Sequence, residues 1–124
     1  MVAELTHFID GEHVKGTSGR FADVYNPATG EVQAKVPLAN QAEMQAAVDS
    51  AKAAQPGWAA TYPQRRARVL MKFVDLLNRD MDKLAVALSK EHGKTVPDAK
   101  GDVIRGLEVA EFCIGAPHLL KGEY

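Results

Sequence analysis

The chain has 124 residues, enough for one ordinary domain that buries roughly two-thirds of the surface its unfolded form exposes. Hydrophobic residues at 46% and charged residues at 25% exclude the apolar-poor composition of a disordered chain. Fifteen Lys and Arg interleave with sixteen Asp and Glu for a net charge of -1, which leaves no basic block to grip nucleic acid.

The first element in chain order is a hairpin. Phe8 to Val14 sets Asp10-Gly11 between short apolar stubs, and a type I′ turn needs positive φ at both central positions. Lys15 to Arg20 reads as a loop and Phe21 to Tyr25 as a strand. Asn26-Pro-Ala-Thr-Gly30-Glu then packs two turn signals together. Val32, Ala34 and Val36 alternate with Gln33 and Lys35 until Pro37 stops the run, completing a second, half-buried hairpin.

Asn40 and Glu43 have capping-box spacing, so a helix is expected from there, with Met44, Ala47, Val48 and Ala51 as its apolar stripe. Pro56-Gly57 is expected to end it, with Trp58 docking the following turn. Pro63 suits a first helical position, and Leu70, Phe73, Val74, Leu77, Met81, Leu84 and Leu88 hold one face up to a stop at Gly93. Asn78-Arg79-Asp80 leaves open one long helix or two consecutive ones, since Asp80 is a competent N-cap. Thr95, Pro97 and Asp98 signal the next start; Val103, Leu107, Ala110 and Ile114 form its apolar side, while Arg105, Val109 and Phe112 share an adjoining face. Lys121 to Tyr124 follows without an obvious final element, compatible with a sequence that continues.

Chemistry is sparse in these residues. Gly101-x4-Gly106 has phosphate-loop glycines, but Leu107-Glu108 stands where Lys-Ser/Thr is required, and no Gly-x-Gly-x-x-Gly occurs to approach a dinucleotide. His7, His13, His92 and His118 lack metal-ligand spacing. Cys113 is the only cysteine, which excludes an internal disulfide, suits a reducing cytoplasm, and reads as a small core residue rather than a nucleophile. Glu91 and Lys94 read as solvated charges at a helix end, and Arg65, Arg66 and Arg68 as a solvated or ion-paired face. Arg105 lies three residues from both Asp102 and Glu108, and residue chemistry alone favours a surface ion pair over a grip on a substrate anion. No signal peptide or membrane-spanning run is expected.

Asn26-Pro-Ala-Thr-Gly30-Glu-Val32, Trp58 ahead of Arg65-Arg66, and Glu91-His-Gly93-Lys94, in that order and spacing, resemble the N-terminal segment of the aldehyde dehydrogenase superfamily. His7-Phe-Ile-Asp-Gly11 and Gly101-Asp-Val-Ile-Arg105-Gly-Leu-Glu-Val109-Ala-Glu-Phe112 are more similar to its CoA-acylating methylmalonate-semialdehyde dehydrogenase branch. The resemblance covers nearly the whole chain. It implies an α/β parent fold in which residues 1-124 are one N-terminal segment of the nucleotide-binding domain, with two short hairpins and three or four helices. It further implies an NAD-dependent oxidoreductase, homo-oligomeric when intact, that converts methylmalonate or malonate semialdehyde with CoA to propionyl-CoA or acetyl-CoA and carbon dioxide.

Under that resemblance Arg105 holds the substrate carboxylate, and the catalytic cysteine, glutamate, asparagine and nucleotide-binding glycines all lie in later stretches. This chain is then expected to supply no catalytic, cofactor-binding or metal residue and to be inactive alone. Its partners are the rest of the enzyme and the semialdehyde, with no nucleic acid and no membrane. The rivals are another semialdehyde dehydrogenase, such as one for succinate semialdehyde, and a stand-alone helical binding module.

Overall fold

A computed structural model describes residues 2-123; Met1 and Tyr124, the outermost residues of the terminal stretches read above, lie outside them. The chain divides into two compact units, one up to Trp58 and one from Ala59.

The first unit contains β1 (Ala3–Glu4), β2 (His7–Ile9), β3 (Glu12–Val14), β4 (Phe21–Tyr25), β5 (Val32–Pro37) and α1 (Gln41–Ala60), the last of which continues past the division. β2 and β3 pair antiparallel, with His7 opposite Val14 and Ile9 opposite Glu12. Asp10 and Gly11 are left as the two-residue turn, at φ of 54° and 78°. Both angles are positive, as the type I′ geometry demands. The Phe8 and His13 rings meet edge-on across the strands at 5.3 Å.

β4 and β5 form the second hairpin. Its turn is built by Asn26, whose Oδ1 accepts the Ala28 N–H at 2.9 Å and whose carbonyl accepts the Gly30 N–H at 2.8 Å. β1 adds a strand that two residues without periodicity could not announce. It runs parallel to β5, Ala3 beside Ala34, giving the order β1-β5-β4. Ala34 is buried between half-buried Val32 and Val36 while Lys35 is exposed, the alternation expected of a half-buried strand; Gln33, half-buried, and Pro37, buried on the other face, depart from it. The loop after β3 closes on this sheet at Gly16, where an added Cβ would stand 2.6 Å from the Pro37 Cβ.

The capping box of α1 forms in full. The Glu43 N–H donates to Asn40 Oδ1 at 2.9 Å, and the Asn40 N–H donates to Glu43 Oε2 at 2.8 Å. The other Glu43 oxygen takes the Thr17 N–H at 2.5 Å, fixing the loop against the helix start. Those backbone donors, from Asn40 first and then Thr17, hold the Glu43 carboxyl below its ordinary range.

The expected stop at Pro56-Gly57 is not observed: α1 runs to Ala60 with Pro56 inside it. Proline's fixed φ is helical, so it removes one N–H bond and crowds the preceding turn without forcing a stop. Ala53, Ala54, Ala59 and Ala60, the strongest helix formers, flank it. Trp58 therefore lies within the helix. No α1 residue is buried, and Met44 at 64% and Val48 at 47% are exposed, so the expected stripe is largely uncovered.

The second unit is helical: α2 (Pro63–His92), α3 (Val96–Ile114) and α4 (Ala116–Leu119). α2 is one unbroken helix, which settles the alternative left by Asn78-Arg79-Asp80. Asp80 is not free to cap, because Arg79 at 2.5 Å and Lys83 at 3.0 Å occupy its oxygens. Pro63 stands in the first turn and left-handed Gly93 closes the C-terminus, its N–H on the Ser89 carbonyl. Thr95 precedes α3, but its side chain makes no cap bond.

α2 packs on α3, and α4 touches both. The buried residues of this unit are Ala67, Ala85, Ala99 and Leu107, of which Ala85 and Ala99 are fully covered. Of the expected faces, Leu70, Val74, Leu77, Met81 and Leu88 on α2 and Val103, Ala110 and Ile114 on α3 are half-buried, whereas Phe73 and Leu84 are exposed. Alanine at a helix crossing lets the backbones approach, so the small residues become the covered ones. Larger side chains splay beside them around an open groove of about 470 Å³ lined by Phe73, Leu77, Leu88, Val103 and Leu107.

Candidate functional site

Arg105 projects from the middle of α3 on a face shared with Val109 and Phe112, which are 64% and 72% exposed. Its Nη2 donates to Asp102 Oδ1, three residues earlier on the same helix. Glu108, the other candidate partner, makes no ion pair with it among the described residues. A Cβ on Gly101 would sit 3.7 Å from Arg105 Nη1, so the guanidinium folds back over the preceding turn.

The second oxygen of Asp102 accepts from Lys94 Nζ, and Lys94 also pairs with Asp98 Oδ2 at 2.8 Å. Lys94 is thus not the merely solvated charge expected of it. It stands ahead of α3 and joins Asp98 and Asp102, with Arg105 at the far end of the chain of charges. Lys94, Asp98 and Asp102 follow at four-residue intervals, the one sequence signal that could have exposed this row.

The electrostatics follow from these contacts. The hydrogen bonds that Lys94 donates to Asp102 and then to Asp98 raise its pKa. The Lys94 bond holds the Asp102 carboxyl below its usual range; burial opposes it, and the Arg105 bond adds to the lowering. Only Nη2 of Arg105 is engaged by Asp102, so its Nε and Nη1 make no bond to that carboxylate. A planar guanidinium anchored by one nitrogen can still take a carboxylate with another.

Other sequence candidates are not assembled with Arg105. Gly101 and Gly106 lie within α3, where the backbone N–H groups serve the helix, so these two glycines form no phosphate loop. Cys113 is a free, half-buried cysteine. Among the described residues no group of three or more His, Cys, Asp or Glu could hold a metal ion, and no helix is long and apolar enough to cross a membrane. The Arg65 guanidinium stands 6.0 Å from the Tyr62 ring centre, and Arg66 Nε is buried without a hydrogen-bond partner. Neither arginine, nor Arg68, is ion-paired among the described residues, so the alternative of an ion-paired face is not realised.

Residues 13–124 match the aldehyde dehydrogenase family. The malonate-semialdehyde dehydrogenase of Pseudomonas aeruginosa is 48% identical over 120 residues, covering 97% of this chain and 24% of that protein. The mitochondrial acylating methylmalonate-semialdehyde dehydrogenase of Arabidopsis thaliana is 46% identical over 124 residues, covering all of this chain and 20% of the relative. A crystal structure assigned as the methylmalonate-semialdehyde dehydrogenase of Sinorhizobium meliloti 1021, complexed with NAD, superposes with a TM-score of 0.95 at 67% identity, covering 99% of this chain and 25% of that one. The chain thus spans a fifth to a quarter of the length of these relatives. Hairpins, helices and likeness together make the chain a member of the aldehyde dehydrogenase family.

Proposed function

We propose that residues 1-124 form the N-terminal segment, within the nucleotide-binding domain, of an NAD-dependent and CoA-acylating semialdehyde dehydrogenase. The substrates proposed are methylmalonate and malonate semialdehyde, and the products propionyl-CoA or acetyl-CoA with carbon dioxide. The observation that carries this reading is identity of 46% to 67%, over nearly all of the chain, to proteins named for those semialdehydes. The acylating name of the Arabidopsis relative supports CoA, and the NAD complex of the Sinorhizobium relative supports NAD. NAD supplies the hydride acceptor in such chemistry, and both cosubstrates are assigned to the remainder of the enzyme.

The part assigned to this chain is substrate choice. Arg105 presents an exposed, always-charged guanidinium with one nitrogen occupied, suited to hold the carboxylate end of a semialdehyde. Exposed Val109 and Phe112 on the same face support a setting covered by the rest of such a chain or by further copies in a homo-oligomer. The compartment proposed is the cytoplasm, where an unpaired Cys113 stays reduced.

A chimera tests this reading, with residues 1-124 joined to the remainder of the Sinorhizobium relative. It should form NADH from methylmalonate semialdehyde in a CoA-dependent manner. Arg105→Leu should lower kcat/KM for that substrate by roughly 10- to 150-fold, the value of one charge-assisted hydrogen bond, and far less for propanal. Equal losses with both aldehydes would reject the role of Arg105.

A further inference from the structure

An arginine side chain on the surface has many rotamers and no direction of its own. Arg105, 66% exposed at its side chain, is given one by its neighbours. Asp102 divides its two oxygens between two cations: Oδ1 accepts from Arg105 Nη2, and Oδ2 accepts from Lys94 Nζ. Lys94 is itself well covered, with 19% of its side chain exposed, and is held by Asp98 at 2.8 Å. Its anchor comes from the segment between Gly93 and Val96, outside α3, so Asp102 is fixed from two sides. Neither oxygen is shared, and only one Arg105 nitrogen is used. The guanidinium is therefore oriented without being saturated.

We propose that Asp102, steered by Lys94, is a positioning residue that aims the remaining N–H groups of Arg105 at the substrate carboxylate and so sets the preference for carboxylated aldehydes. The proposal rests on the reading of Arg105 as the carboxylate holder. Asp102 itself touches no substrate. Its sign is definite, because a positioning carboxylate strengthens substrate binding, whereas one that merely competed for the guanidinium would weaken it.

Steady-state kinetics on the chimera decide between these outcomes. Asp102→Ala should raise KM for methylmalonate semialdehyde about tenfold, with a smaller change in kcat and a much smaller change in KM for propanal. Combined with Arg105→Leu it should add almost nothing, since both changes remove one function. Lys94→Met should act in the same direction by roughly threefold, and Asp102→Asn, which keeps an acceptor oxygen for Arg105, should fall between wild type and Asp102→Ala. Should Asp102→Ala fail to fold, these last two variants carry the same comparison. A lowered KM, equal losses for both aldehydes, or additive losses in the double variant would overturn the positioning role. If Arg105→Leu discriminates and Asp102→Ala does not, only this proposal fails; if Arg105→Leu does not discriminate, both fail.

Discussion

α1 and α3 begin and end their careers as helices in opposite ways. α1 has a complete capping box, with Asn40 and Glu43 bonded to each other's backbone, yet buries none of its residues. α3 starts at a Thr95 whose side chain makes no cap bond, yet buries Ala99 and Leu107 beside α2. The difference separates two determinants. A cap fixes where a helix starts through bonds spanning three residues, whereas coverage needs a second surface of matching shape.

The largest effect should come from filling the covered position. Ala99→Leu forces a larger side chain into the α2–α3 pair and should destabilise the chain by about 1 to 3 kcal/mol. Val48→Leu on half-exposed α1 should stay within about 0.5 kcal/mol. Urea unfolding followed by circular dichroism checks both, and equal shifts in midpoint would erase the contrast.

The cap itself should give an intermediate effect of reversed order. Asn40→Ala removes the acceptor of the Glu43 N–H and should cost about 1 kcal/mol. Thr95→Ala should cost clearly less, because no cap bond is lost. Amide hydrogen exchange at Glu43 and Asp98 would report the two helix starts separately, and similar losses in protection would contradict the assignment.

Acid should produce the smallest effect, located on α2. Hydrogen bonds from Arg79 and then Lys83 lower the Asp80 carboxyl from 3.8 to about 2. The folded value lies below the unfolded one, so the contribution is present above about pH 4 and disappears as pH falls through about 2. Asp80→Asn should flatten that part of the stability profile at low salt, and an unaltered acid limb would show that the exposed pairs contribute nothing.

What was legible from residues alone was short in range. Asp10-Gly11, the Asn26 turn, the Asn40-Glu43 box, Pro63 and Gly93 each act within a few residues, and each stands where its spacing placed it. One misreading and one open alternative arose where local signals compete. Pro56 was outweighed by its alanine neighbours, and Asp80 was taken by Arg79 and Lys83 before it could cap. β1 was invisible because its pairing is supplied by β5, some thirty residues away. In the candidate site the Arg105–Asp102 pair was legible through its i−3 spacing. Lys94 was not, because with Glu91 it read as a solvated charge at a helix end and only its contact with Asp102 makes it an anchor.

The sequence by itself determined the order of hairpins and helices, most of their boundaries, and the residues that carry the likeness to the family, because turns, caps and apolar periodicity are local properties of the chain. The tertiary structure alone decided which side chains are covered. Ala85 and Ala99 are sealed while Phe73 and Leu84 line an open groove, since small residues permit the approach of two helices and large ones border it. It also decided that Asp102 serves two cations at once, because the direction of a carboxylate depends on what the folded chain brings to each of its oxygens.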